Sequence, residues 1–130
     1  MQLTFTAPNR PLSINEANSM HWAAKRRRLE PWRKEVWLRW LALPADEKKP
    51  KTDAPGVILV EVTLPFSRAG RRDPHNYTST VVKALIDELV QAGMAPDDTP
   101  EFVTVAEPKL IVEKELSVTV TLTKQKMGTK

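Results

Sequence analysis

Eight residues in the middle of the chain, Val57-Ile58-Leu59-Val60-Glu61-Val62-Thr63-Leu64, limit the fold most severely. Their β-branched, apolar side chains fit a pleated surface packed among neighbours, which predicts a central strand ended by Pro65. Leu3, Phe5 and Ala7 alternate with Gln2, Thr4 and Thr6, the period-2 signature of a half-buried strand that stops near Pro8. Near the other end, Leu116, Val118, Val120 and Leu122 alternate with Ser117, Thr119 and Thr121, as in a sheet with one covered face. Residues 102–106 and 110–112 read as two further short strands.

Two main helices are expected beside this sheet. From about His21 to Leu43, the residues Leu29, Trp32, Val36, Trp40 and Leu43 recur three or four apart along one face. Pro31 either opens a second helix or kinks one long helix. Trp32, Trp37 and Trp40 read as core or subunit contact rather than as stacking platforms. Val82, Leu85, Ile86 and Leu89 form an i, i+3, i+4, i+7 stripe, with Ala92-Gly93 as its stop. Residues 8–19 read as an ordered loop, 44–56 as a mobile surface loop, 96–100 as a turn and 124–130 as a frayed tail. A chain of 130 residues is sized for one domain. The expected fold is therefore α/β (α+β), a single domain over residues 1–130 with a mixed β-sheet packed with two main helices.

With no cysteine, a disulfide scaffold, a thiol nucleophile and thiolate metal sites are excluded, and carboxylates and two histidines remain for metal chemistry. No apolar run approaches the roughly 20 residues that span a bilayer, and the alternating start lacks a signal-peptide core. Neither membrane insertion nor export is expected.

The net charge of +4 is modest, but its distribution is uneven. Residues 1–40 hold eight basic and three acidic side chains, Arg68, Arg71 and Arg72 follow, and residues 73–130 hold six basic and nine acidic. That arrangement suits a protein that grips a polyanion while holding a cation among carboxylates. On charge alone, Lys25-Arg26-Arg27-Arg28 reads more simply as the solvated face of a helix.

The segment with chemical potential is Arg71-Arg72-Asp73-Pro74-His75-Asn76, followed by a helix carrying Lys83 and then by Asp97-Asp98. A strand end, one helix and a turn can bring Asp73, His75 and Asp98 together. Magnesium needs hard oxygen ligands and keeps several waters, so two or three carboxylates beside a phosphate make a sufficient site. A bound ion acidifies its water and neutralises the phosphate in an in-line displacement, and Lys83 could stabilise the charge that develops there. Lys83 and Asp87, four apart, can pair with each other or point jointly into a neighbouring site. The plainer reading makes Asp-Pro and Asp-Asp turn and cap residues, with His75 a cap or a surface side chain.

The combined pattern resembles the RusA family of Holliday junction resolvases, small endonucleases common in phages and prophages that cut four-way DNA junctions. That family has a strand ending in Pro, a basic stretch, Arg-Asp-x-Asp-Asn, a helix with a Lys and a later Asp, then Ala-Gly and Asp-Asp. This chain has Pro65, Arg71-Arg72, Asp73-Pro74-His75-Asn76, Lys83 with Asp87, Ala92-Gly93 and Asp97-Asp98. Pro11, Ser13 and Asn15 resemble the family's amino-terminal turn, and Trp32-Arg33 its aromatic-Arg pair. The resemblance implies a RusA-like fold, a homodimer and metal-dependent cleavage in the cytoplasm of a bacterium or phage-infected host. It implies catalytic Asp73, Lys83 and Asp98, with Mg2+ or Mn2+ held by Asp73 and Asp98; His75 and Asp97 are further candidate ligands. His75 stands where the family usually has an aspartate, and histidine suits manganese better than magnesium. The segment from Asn76 to Ala92 is longer than in the best-known members by about one helical turn. Lys25, Arg26, Arg27, Arg28, Arg68, Arg71, Arg72 and Asn76 are the expected DNA contacts, made mostly to backbone phosphates. A junction-binding protein with lost or weak cleavage, and a flap or branched-DNA nuclease, are the alternatives.

Overall fold

A computed structural model describes residues 1–48 and 56–126. In chain order the elements are β1 (Gln2–Thr6), α1 (Ile14–Asn18), α2 (Trp22–Ala42), α3 (Ala45–Lys48) and β2 (Gly56–Phe66). A 3-10 turn (Pro74–Tyr77) then runs through a π turn (Thr78–Val82) into α4 (Lys83–Gln91), followed by β3 (Val103–Val105), β4 (Lys109–Val112) and β5 (Ser117–Lys126). Together they form one mixed α/β domain.

β2 is central, as its composition requires. β5 pairs antiparallel with both β2 and β1, so the order begins β1-β5-β2. The far edge of β2 is shared: β3 runs parallel to its first half (Ile58↔Val103) and β4 parallel to its end (Thr63↔Lys109). The strand does not stop at Pro65. It passes through to Phe66, with Pro65 in register with Ile111, and this is tolerated because pairing with β5 has already ended at Thr63↔Thr119.

Helices α2 and α4 cover one face of the sheet. Leu3, Phe5, Val60, Val62, Leu64, Val118, Val120 and Leu122 meet Trp32, Val36, Trp40, Leu85 and Leu89 in one continuous core. Trp32 is fully buried and stands edge-on to Phe5, with ring centroids 6.0 Å apart.

α2 is one helix with Pro31 inside it. The ring removes the N–H that would reach the carbonyl of Arg27. Beside that break the Asn9 side chain supplies a brace: its Nδ2 donates to the Arg28 carbonyl at 3.0 Å, and its Oδ1 accepts from Trp32 Nε1 at 2.7 Å. Within residues 8–19, read as loop, α1 forms. Ser13 accepts from the Glu16 N–H at 3.1 Å, the first half of a capping box.

α4 ends as Ala92-Gly93 predicts. The N–H of Met94 donates to the Leu89 carbonyl at 2.9 Å, the N–H of Gly93 donates to Val90 at 3.0 Å, and Gly93 takes φ +106°. These are the two bonds of a Schellman cap. Of the loop expected over 44–56, Ala45–Lys48 is helical and residues 49–55 lie outside the described residues. β5 runs on through Lys124 to Lys126, past the point where the tail was expected to fray, and residues 127–130 also lie outside.

Candidate active site

The carboxyl end of β2 and the helical segment 74–91 place the candidate residues. Phe66 closes β2, and a short stack ties the returning chain to it. The Arg72 guanidinium lies 4.0 Å from the Phe66 ring centroid, and Tyr77 meets the same ring edge-on at 5.4 Å. Arg72 Nη1 also donates to the Arg68 carbonyl at 2.9 Å. Burial pushes the Tyr77 hydroxyl above its ordinary pKa, with Arg72 pulling the other way.

Asp73 begins the helical segment. Its Oδ1 accepts from the His75 N–H at 3.0 Å and its carbonyl accepts from the Asn76 N–H at 2.9 Å, which satisfies two donors of the 3-10 turn. In the π turn Thr80 is buried, and its hydroxyl donates to the carbonyls of Leu12 and Tyr77. A π turn adds one residue to the helical repeat and so rotates everything after it by about 100° relative to a regular helix.

After that rotation Lys83 points at the turn that follows α4. Lys83 Nζ lies 3.3 Å from Asp87 Oδ1 and 3.5 Å from Asp98 Oδ2. Asp97 Oδ1 accepts from the Asp98 N–H at 2.8 Å and fixes the turn itself. The hydrogen bond and charge of Asp87 raise the Lys83 pKa above its ordinary value; burial opposes them in part, and Asp98 adds to the rise. Lys83 is thus an ammonium at neutral pH, half-exposed between two carboxylates.

The expected four-ligand metal set is not assembled. Among the described residues, no group of three or more His, Asp or Glu side chains could hold a metal ion. Asp73 is occupied as a helix cap, and ten positions, on the order of 15 Å of helix, separate it from Lys83. His75 is turned toward Glu107, with Nε2 3.8 Å from Oε2, instead of toward Asp98. Asp97 and Asp98 do supply adjacent hard oxygen donors, which fit an ion that takes its other ligands from water and phosphate.

The basic residues divide in a similar way. Lys25, Arg26, Arg27, Arg68 and Arg71 have exposed side chains on the surface. Arg28 does not belong with its neighbours. Its Nη1 bridges Glu16 Oε2 at 3.2 Å and its Nη2 donates to the Arg10 carbonyl at 2.6 Å, so it fastens the 8–16 segment to α2. Arg72 is likewise engaged with Phe66 and Arg68, and Asn76 is half-buried in the 3-10 turn.

Sequence reasoning missed Glu107, which carries no local motif, and Glu16, which the Ser13-x-x-Glu16 capping pattern could have exposed. No family model matches the chain, and the search of curated proteins returned no match. No helix among the described residues is long and apolar enough to cross a membrane.

Proposed function

We propose that the protein is a RusA-like, structure-selective DNA endonuclease that resolves four-way junctions by paired symmetric incisions, working as a homodimer. The contact of Lys83 with Asp98, joining residues fifteen positions apart across a helix and a turn, is the observation that carries this reading. It gathers a fixed cation and the Asp97-Asp98 carboxylates, and the chain also exposes Arg68 and Arg71.

The roles follow from the chemistry of these groups. A divalent cation, Mg2+ or Mn2+, held by Asp98 and Asp97 would supply an acidified water and charge neutralisation at the scissile phosphate. Lys83 would accompany the negative charge that grows on the phosphoryl oxygens. Lys25, Arg26, Arg27, Arg68 and Arg71 would hold backbone phosphates, which makes binding steeply salt-dependent and largely indifferent to sequence. The expected products carry a 5′-phosphate and a 3′-hydroxyl. One chain carries one such site, so two incisions require two chains.

A second reading, a junction-binding protein without cleavage, is favoured by the absence of a three-ligand group among the described residues. One gel separates the two. A labelled four-way junction is incubated with wild type and with Asp98→Asn, in magnesium or manganese, and resolved under denaturing conditions. Incision by wild type and its loss in the variant support the nuclease; metal-independent binding without nicking supports the second reading.

A further inference from the structure

Between α2 and α4 lies an open groove of about 840 Å³ whose walls combine aromatic rings with cations. Trp22 and Trp37, fifteen positions apart along α2, both line it and are 67% and 40% exposed, so their rings are open to a ligand. Trp22 also lies against the His21 ring at 5.6 Å, which steadies the indole. Between them Lys25, Arg26 and Lys34 project into solvent, and Leu29 forms part of the floor. Of the two carboxylates in the lining, Glu88 is already bridged by Arg33 at 3.1 Å, which leaves the groove positive.

We infer that this groove binds a single-stranded segment of nucleic acid, with bases stacked on Trp22 and Trp37 and phosphates held by Lys25, Arg26 and Lys34. The inference deepens the branched-DNA reading, on which it rests, by giving an unpaired strand its own seat. Three features select that occupant. Exposed indoles stack on bases only where those bases are unpaired, and flanking cations track the backbone. The fifteen helical steps from Trp22 to Trp37 span about 22 Å, room for roughly the four nucleotides at the small end of known single-strand sites. A second copy of the chain fits poorly, since a two-fold contact across this face would bring two net-positive linings together.

The groove also lies close to the candidate active site. Ala84 and Glu88, which line it, each follow directly after Lys83 and Asp87 on α4, one helical step of about 100° away. A strand lying in the groove would leave it alongside Lys83.

The test is fluorescence anisotropy with a labelled ten-nucleotide oligothymidine and a duplex of equal length, without divalent cation, so that binding is read whether or not the protein cuts. Trp22→Ala and Trp37→Ala are both surface substitutions, checked for folding by circular dichroism. Each is expected to weaken oligothymidine binding by about 5- to 150-fold while changing duplex binding little. The double variant Lys25→Gln/Arg26→Gln is expected to reduce the salt slope for the oligothymidine by about 1.4. Equal loss on both DNAs, no loss on either, or a change of oligomeric state in sedimentation would each overturn the inference. Failure of junction cleavage with the tryptophan effect intact would sink only the nuclease reading.

Discussion

Replacing Lys83 with Met keeps the aliphatic stem and deletes only the ammonium. In the structure that ammonium makes two ion pairs, at 3.3 Å to Asp87 and 3.5 Å to Asp98, and its side chain is 55% exposed. Surface pairs of this kind contribute about 0.2–1 kcal/mol each, so Lys83→Met should lower stability by no more than about 1–2 kcal/mol. The catalytic effect should be far larger. Losing one preorganised group at a developing oxyanion costs about 100- to 1000-fold in rate, so junction cleavage should fall by that factor while thermal unfolding barely moves. The pH dependence has a definite sign. Because the carboxylates raise the folded pKa of Lys83, its stabilising effect is complete below the ordinary lysine value of about 10.4. It is lost only as pH rises through the higher folded value. Between pH 6 and 9 no deprotonation of Lys83 should limit the rate. Single-turnover cleavage of a labelled junction by both proteins across that range is the assay; wild-type rates from Lys83→Met would refute the role given to Lys83.

Other outcomes follow from the same contacts. Asn9→Ala strips a 2.7 Å acceptor from the buried Trp32 Nε1 and should lower stability by about 1–3 kcal/mol in chemical denaturation, with most of that loss absent in a Trp32→Phe background. Arg28→Ala should destabilise by about 1–3 kcal/mol through Glu16 and the Arg10 carbonyl. Arg27→Ala, one position earlier and exposed, should leave unfolding unchanged and lower the salt slope of duplex binding by about 0.9. His75→Ala, acting on an exposed ring that faces Glu107, should leave cleavage in magnesium near wild type; a large loss would return His75 to the metal.

The sheet was legible because its signals are local. Alternation in 2–6 and 117–122 and the apolar run at 57–64 each specify a strand without reference to the rest of the chain. The buried face of α2 was legible for the same reason. The start of the helical segment at 74–80 was not, because Pro, His, Asn, Thr and Ser dominate it and set up no apolar stripe. What holds that segment is long-range: Thr80 bonds the Leu12 carbonyl and Tyr77 packs on Phe66. At the site, the i, i+4 spacing disclosed the pairing of Lys83 with Asp87, and the turn at 96–100 allowed the return of Asp98 to Lys83. Asp73 takes the capping role that the plainer reading gave it, accepting from the His75 N–H of the turn it begins. Arg28 looked like its three basic neighbours until Glu16 was placed beside it.

A supercoiled plasmid carrying an extruded cruciform tests most directly whether this protein resolves junctions. Paired incisions across the four-way junction convert the circle to linear product, and wild type with magnesium or manganese should yield linear DNA cut at the cruciform base, with none from Asp98→Asn. An intact circle under every metal condition, with the protein still bound at the cruciform, would contradict it.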